Sequence, residues 1–239
     1  MSYSNIIEEA IYNNPKSLLS IKDKGLIKAI NNYLPYSTGF EIECDYRTNY
    51  DVTCFQTIPN IMEVRNDKCE QRYRIPSGLT GLICLQDICE QLRLNSKMNM
   101  ESGIHYHIDC TDWFSSITTE NLKDNEEWIL KELDKWEYKG TYNRREVFNG
   151  YGGYWVRTNN EFSTLEIRCG EMSFDYNYIV TKIIHANLIV KNLKNIIFNP
   201  LYKIELLNRE LQELNNQITP LIISDIEKKN FIKNKIIRL

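Results

Sequence analysis

Four short stretches of the chain carry ionisable side chains at every second residue: Phe40-Glu41-Ile42-Glu43, Met62-Glu63-Val64-Arg65, His105-Tyr106-His107-Ile108-Asp109 and Leu165-Glu166-Ile167-Arg168. A β-strand sends successive side chains to opposite faces. This period of two therefore sets Glu41 with Glu43, Glu63 with Arg65, His105 with His107 and Asp109, and Glu166 with Arg168 on single faces, with apolar residues behind them. One such strand is an ordinary half-solvated sheet strand. Four ask for another explanation, because exposed strand positions favour Thr, Lys and aromatics, and neighbouring carboxylates repel one another. Divalent cations between the carboxylates remove that repulsion. Carboxylate oxygens are what hard cations such as Mg²⁺ or Mn²⁺ prefer, and such ions also bind the oxygens of nucleotide phosphates. Arg144, Arg145 and Arg168 supply guanidinium forks for phosphoryl oxygens. Carboxylates, cations and arginines together point to phosphoryl transfer.

These residues need a sheet with one greasy face and helices to cover it. Apolar positions at helical spacing (Ile6, Ile7, Ala10, then Leu26, Ile27, Ile30), interrupted at Asn14-Pro15 and closed by Pro35, predict two short leading helices. Strands follow at 39–44 and 61–65. Ser77 is the expected N-cap for a helix over 79–94 with Leu82, Leu85, Ile88, Cys89 and Leu92 as its apolar stripe. A strand at 103–109 precedes a helix capped by Asp124 and running to about Tyr138, with Trp128, Leu133 and Trp136 inward. Tyr154 to Arg157 and Phe162 to Cys169 predict a hairpin turning at Asn159-Asn160. Asp175 then caps a long helix to about Asn195, and the chain beyond Pro200 reads as helical.

With 239 residues, 42% of them apolar, the chain has material for one main core. The expected division is a helical N-terminal extension over 1–36, a catalytic domain over 37–198 and a C-terminal helical segment over 199–239 packed on the same core. A net charge of −3 argues against nucleic acid or anionic membrane as a partner, so a phosphate must be met by a local pocket. No stretch has the length of a membrane span, and the start Met1-Ser2-Tyr3-Ser4-Asn5 lacks a signal-peptide pattern, so a cytoplasmic location is expected. Seven cysteines without a C-x-x-C pair read as reduced thiols.

The ordered set Phe-Glu-Ile-Glu at 40–43, Ser-Gly-Ile-His-Tyr-His at 102–107, Asn-Arg-Arg at 143–145 and Thr-Leu-Glu-Ile-Arg at 164–168 resembles the glutamine-synthetase-like carboxylate–amine ligases. Within them it is most similar to the amidoligase branch. The resemblance covers roughly 37–195 and implies an α+β fold, a curved antiparallel sheet with helices on its convex side and ATP with Mg²⁺ (or Mn²⁺) on its concave face. It implies amide formation through an acyl phosphate on an amino-acid or peptide carboxylate. Carried onto matching positions, it makes Glu41, Glu43, Glu63, His105 and Glu166 metal ligands, and Arg168 with Arg144 or Arg145 phosphate contacts. His107 becomes a residue that orients substrate or a ligand. Two other readings stand beside this one: a non-catalytic module on the same fold, and a transition-metal hydrolase or oxygenase built on His105, His107 and a carboxylate. His185, in mid-helix, reads as structural, and Gly150-Tyr151-Gly152-Gly153 as a turn over the site.

Overall fold

The computed structural model describes residues 12, 18, 20–46, 61–65, 68–97, 103–138, 144–148, 154–171 and 173–216, with 43–46, 61–65, 68–72, 95–97, 144–148, 154 and 169 described by backbone alone. The alternating stretches form strands of one sheet: β1 (Thr38–Tyr46), β2 (Ile61–Arg65), β3 (Lys68–Ile75), β4 (Ser96–Lys97), β5 (Gly103–Asp109), β6 (Arg144–Phe148), β7 (Tyr154–Asn159) and β8 (Thr164–Glu171). Their order is β2-β3-β1-β5-β8-β7-β6, with the short β4 also paired to β1. Every pairing is antiparallel except that of β6 with β7, which is parallel. The class is α+β, and the expectation of a wholly antiparallel sheet fails at this one edge.

The sheet's apolar face carries the core. Phe40, Ile42, Tyr73, Ile75, Ile104, Tyr106, Ile108, Val156, Leu165 and Ile167 are all buried. So are the stripes of helix α2 (Gly78–Asn95), through Leu82, Leu85, Ile88 and Leu92, and of helix α5 (Tyr176–Phe198), through Ile179, Ile183, Ala186 and Val190. Each fully buried aliphatic side chain contributes about 1.5–3 kcal/mol, so this face supplies most of the drive to fold. Asn187 of α5 donates Nδ2–H to Thr38 Oγ1 of β1 at 2.9 Å and accepts the Tyr36 N–H at 3.0 Å, which satisfies the buried hydroxyl and ties the helix to the sheet.

Local signals account for the helix starts. Asp23 Oδ1 accepts the Leu26 N–H at 2.7 Å and caps α1 (Lys24–Tyr33), and Asp175 Oδ1 accepts the Tyr178 N–H at the start of α5. The oxygen that receives the Leu79 N–H at the start of α2 belongs to Asn31 of α1, not to the expected Ser77. Gly78 there has φ +69 and a Cβ would stand 2.1 Å from Asn31 Oδ1, so the position requires glycine. The helix expected after Asp124 is α4 (Glu126–Lys135), whose N-cap position is Asn125 instead of Asp124, and a short helix not expected from the sequence, α3 (Thr119–Asp124) capped by Thr118, precedes it. Glu137 at φ 53 ends the segment, and Trp136 is 36% exposed, stacked on the buried His185 of α5. The helix expected at the extreme N-terminus and the glycine cluster at 150–153 lie outside the described residues.

Contacts divide the chain into two compact units, Met1–Leu193 and Lys194–Leu239. The sheet and α1 share the first, so the leading helix is part of the core unit. In the second, residues 200–216 are helical, and Leu201, Ile204, Leu207, Leu211 and Leu214 are exposed.

One irregularity shapes the polar face. Tyr106 pairs with Ile167, but Ile104 pairs with Gly170, so Arg168 and Cys169 together stand opposite His105. This extra residue is a β-bulge, and it shifts the alternation of β8 by one. Gly170 consequently backs onto the core: a Cβ there would lie 2.6 Å from Ile104 Cγ2, 2.7 Å from Ile104 O and 2.8 Å from Tyr106 Cε2. Gly170→Ala should therefore lower stability by about 1–3 kcal/mol through overpacking. Denaturant unfolding measures it, and an unchanged midpoint would contradict this account of the bulge.

Candidate metal centre

Strand register builds the site row by row. Arg74, Gly39, His107, Glu166 and Arg157 line up across β3, β1, β5, β8 and β7. In the next row Arg72, Glu41 and His105 align across β3, β1 and β5. Glu41, His105, His107 and Glu166 come together where these rows meet, with side-chain exposures of 12%, 5%, 6% and 0%.

The geometry is that of a ligand set. Glu41, His107 and Glu166 each offer one ligand atom, and these three atoms all lie within 4.8 Å of one another. His107 Nδ1 is 3.1 Å from Thr164 Oγ1. The tautomer that donates Nδ1–H to this hydroxyl leaves Nε2 with a lone pair. That Nε2 is buried without a hydrogen-bond partner, 3.5 Å from Glu41 Oε1 and 4.0 Å from Glu166 Oε1. An orphaned buried nitrogen costs free energy unless something binds it, and a cation shared with two carboxylates is a fitting partner. His105 Nδ1 stands alongside, 3.3 Å from Glu41 Oε2 and 3.8 Å from Glu166 Oε1. The sequence reading gave the ligand role to His105 and an orienting role to His107; both imidazoles reach the carboxylates, and it is His107 that completes the compact triad.

Glu166 is the most enclosed member. Arg157 grips it with Nε 2.7 Å from Oε2 and Nη2 3.1 Å from Oε1, Asn159 Nδ2 adds a bond at 3.3 Å, and Arg168 Nε lies 3.1 Å from Oε1. Burial alone would raise its pKa, but His107 in its charged form together with the bond and charge of Arg157 outweigh burial and hold the carboxyl below its ordinary range. At Glu41 burial pushes upward too, and the hydrogen bond of His105 together with the two neighbouring imidazoles in their charged form overcomes it, leaving this carboxyl well below the ordinary range. Both are therefore ionised at neutral pH, as metal ligation requires. Two carboxylates with one or two imidazoles suit Mg²⁺ or Mn²⁺, and also zinc or iron.

The other expected site residues are distributed differently. Register puts Glu63, Glu70 and Glu43 in one row across β2, β3 and β1, although their side chains lie outside the described set, as do those of Arg144 and Arg145 on β6. Strand β7 stands between β6 and β8. Asp109 is bound to Ser37 and Thr111 instead of the cluster. Sequence reasoning missed Thr164, which alternation from Glu166 would have found, and Arg157. The latter was hidden by the turn: a turn at Asn159-Asn160 would not pair Arg157 with Glu166, whereas the observed loop over 160–163, with Ser163 at φ 51, does. Phe162 of that loop sits edge-on to His107, with ring centroids 6.0 Å apart. A cavity of about 420 Å³ opens over Glu41 and His107 and extends past Gly39 to Ser37, Arg74 and Asp109.

Comparison with models of known families, with curated proteins and with solved structures finds no match to this chain.

Glu166 is fully buried and Arg157 only 14% exposed, so truncating Glu166 removes the buried carboxylate that Arg157 and Arg168 share. Glu166→Ala should cost about 3–5 kcal/mol in denaturant unfolding. A loss under about 1 kcal/mol would show that the pair is not the buried hub described.

Proposed function

We propose that this protein is an ATP-dependent, divalent-cation-dependent carboxylate–amine ligase acting on an amino-acid or peptide carboxylate. The observation that carries the proposal is the buried, unbonded Nε2 of His107 facing two ionised carboxylates, with two arginines converging on one of them. The ordered motifs that resemble the amidoligases support the same reading. Glu41, His107 and Glu166 would hold the cation, which when bound neutralises phosphate charge and polarises the phosphoryl group.

The chain's own residues have separable tasks. Thr164 fixes the tautomer of His107, His105 orients Glu41 through its Nδ1, and Arg157 with Asn159 holds Glu166 in place. Arg168, on the same face beside Glu166, sets positive charge where a phosphoryl oxygen carries negative charge. In the overall reaction a substrate carboxylate oxygen attacks the γ-phosphorus and ADP leaves. The amine nitrogen then attacks the acyl carbon, inorganic phosphate departs and one proton is released.

A second reading has a specific observation in its favour. Both His105 and His107 lie within 4.0 Å of both Glu41 and Glu166, a donor set that also suits zinc or iron in a hydrolase or oxygenase.

Thermal unfolding of the wild type, Glu41→Gln and His107→Gln, with and without Mg²⁺ plus a non-hydrolysable ATP analogue, tests the ligase. At about a hundred times Kd the ligand adds roughly 2.7 kcal/mol to wild type, and neither variant should respond. A wild type indifferent to nucleotide rejects the ligase, and zinc or iron retained through purification then selects the second reading.

A further inference from the structure

The row that ends at Glu166 and Arg157 begins at Arg74. Arg74 pairs with Gly39 and Gly39 with His107, which puts Arg74 two strands from the cation seat, roughly 9–10 Å at ordinary strand spacing. Gly39 lies between them as a gap in the row. Even a Cβ there would approach His107 Cβ to 3.3 Å, so the missing side chain keeps the cavity floor open. The resulting cavity, about 420 Å³, falls in the range of small-molecule sites and runs from Glu41 and His107 to Arg74.

At its far end, one side chain is used up and the other is held in reserve. Asp109 Oδ1 accepts the N–H and the hydroxyl of Thr111 at 2.9 and 2.7 Å, and Oδ2 accepts the Ser37 hydroxyl at 2.9 Å. So occupied, Asp109 offers little to a ligand. Arg74 is held at one corner only: its Nη2 donates to Ser37 Oγ at 3.3 Å and Asp109 Oδ2 at 3.5 Å. Among the described residues its Nε and Nη1 have no partner, and its side chain is 64% exposed at the cavity edge. Asp109 and Ser37 therefore aim a guanidinium whose remaining fork faces away from them, and such a fork matches the planar geometry of a carboxylate or the oxygens of a phosphoryl group. The remaining acid of the lining, Glu161, is exposed on the 160–163 loop.

We propose that Arg74 anchors a second anionic group of the substrate, so that the site selects molecules with two anionic ends separated by an amino-acid- to dipeptide-length chain, one end at the cation seat and one on Arg74. This rests on the cation reading of Glu41, His107 and Glu166. Calorimetric titration of the full chain, first with Mn²⁺ and then with butyrate, glutarate, adipate and 3-phosphonopropionate, tests it on wild type and Arg74→Gln. Glutarate or adipate should bind wild type about tenfold more tightly than butyrate, the worth of one charge-assisted hydrogen bond. Arg74→Gln should lose that preference while keeping its affinity for Mn²⁺ and butyrate. A phosphonate that outbinds the dicarboxylates in an Arg74-dependent way supports the anchor and identifies its group as phosphoryl. A preference that survives Arg74→Gln, or its absence from wild type that has taken up Mn²⁺, overturns the anchor alone. A wild type that takes up no Mn²⁺ overturns the cation reading and the anchor with it.

Discussion

Burying carboxylates is the constraint on which the architecture turns. Glu166 is completely enclosed and Glu41 nearly so, and an ionised carboxylate removed from water costs several kcal/mol unless charges and donors replace its hydration. The fold supplies these from neighbouring strands. Arg157 comes from β7, Arg168 from beyond Glu166 on β8, and the two imidazoles from β5. Alternation keeps Arg168 with Glu166 on the polar face, and the bulge opposite His105 returns Gly170 to the core. Even so, His107 Nε2 is left without a hydrogen bond at the centre of the group. A sheet built only for stability would have little reason to keep it so, since an apolar replacement of a buried ionic cluster is often neutral or stabilising.

Much of this was legible in residue order. Alternation located β1, β2, β5 and β8 and told the faces of β1, β5 and β8 apart, because a period of two survives wherever one face is buried. The stripes on α2 and α5 were equally plain. Strands β3 and β6 were not, because Lys68-Cys69-Glu70-Gln71-Arg72 and Arg144-Arg145-Glu146 are dense in charge and show no clean apolar alternation. Their place is set by pairing, of β3 with β2 and β1 and of β6 with β7. Arg157 was invisible for a related reason: strand partners follow turn length, and the residue at positive φ in this turn is Ser163 instead of the glycine or asparagine that marks such positions. Asp124 misled because it ends one short helix, and the N-cap position of the next is the adjacent Asn125.

With no match among known families or solved structures, the functional argument stands on side chains. Glu41, His105, His107, Glu166 and Arg168 were singled out from sequence and lie together in space, which a merely solvated sheet face has no need to arrange. Stability and chemistry draw on the same residues. Arg157 and Asn159 hold Glu166, Thr164 holds His107, and Gly39 leaves room above them, so the polar face is pre-organised by its own second layer of contacts.

The central claim is that His107 Nε2 faces a divalent cation. Pulsed electron paramagnetic resonance of the Mn²⁺-loaded protein reads this directly, because a coordinated imidazole nitrogen modulates the manganese signal. The account predicts nitrogen modulation in wild type that is lost or strongly reduced in His107→Gln, with the Thr164→Val variant intermediate. Manganese that binds without nitrogen coupling, or coupling unchanged in His107→Gln, would contradict it.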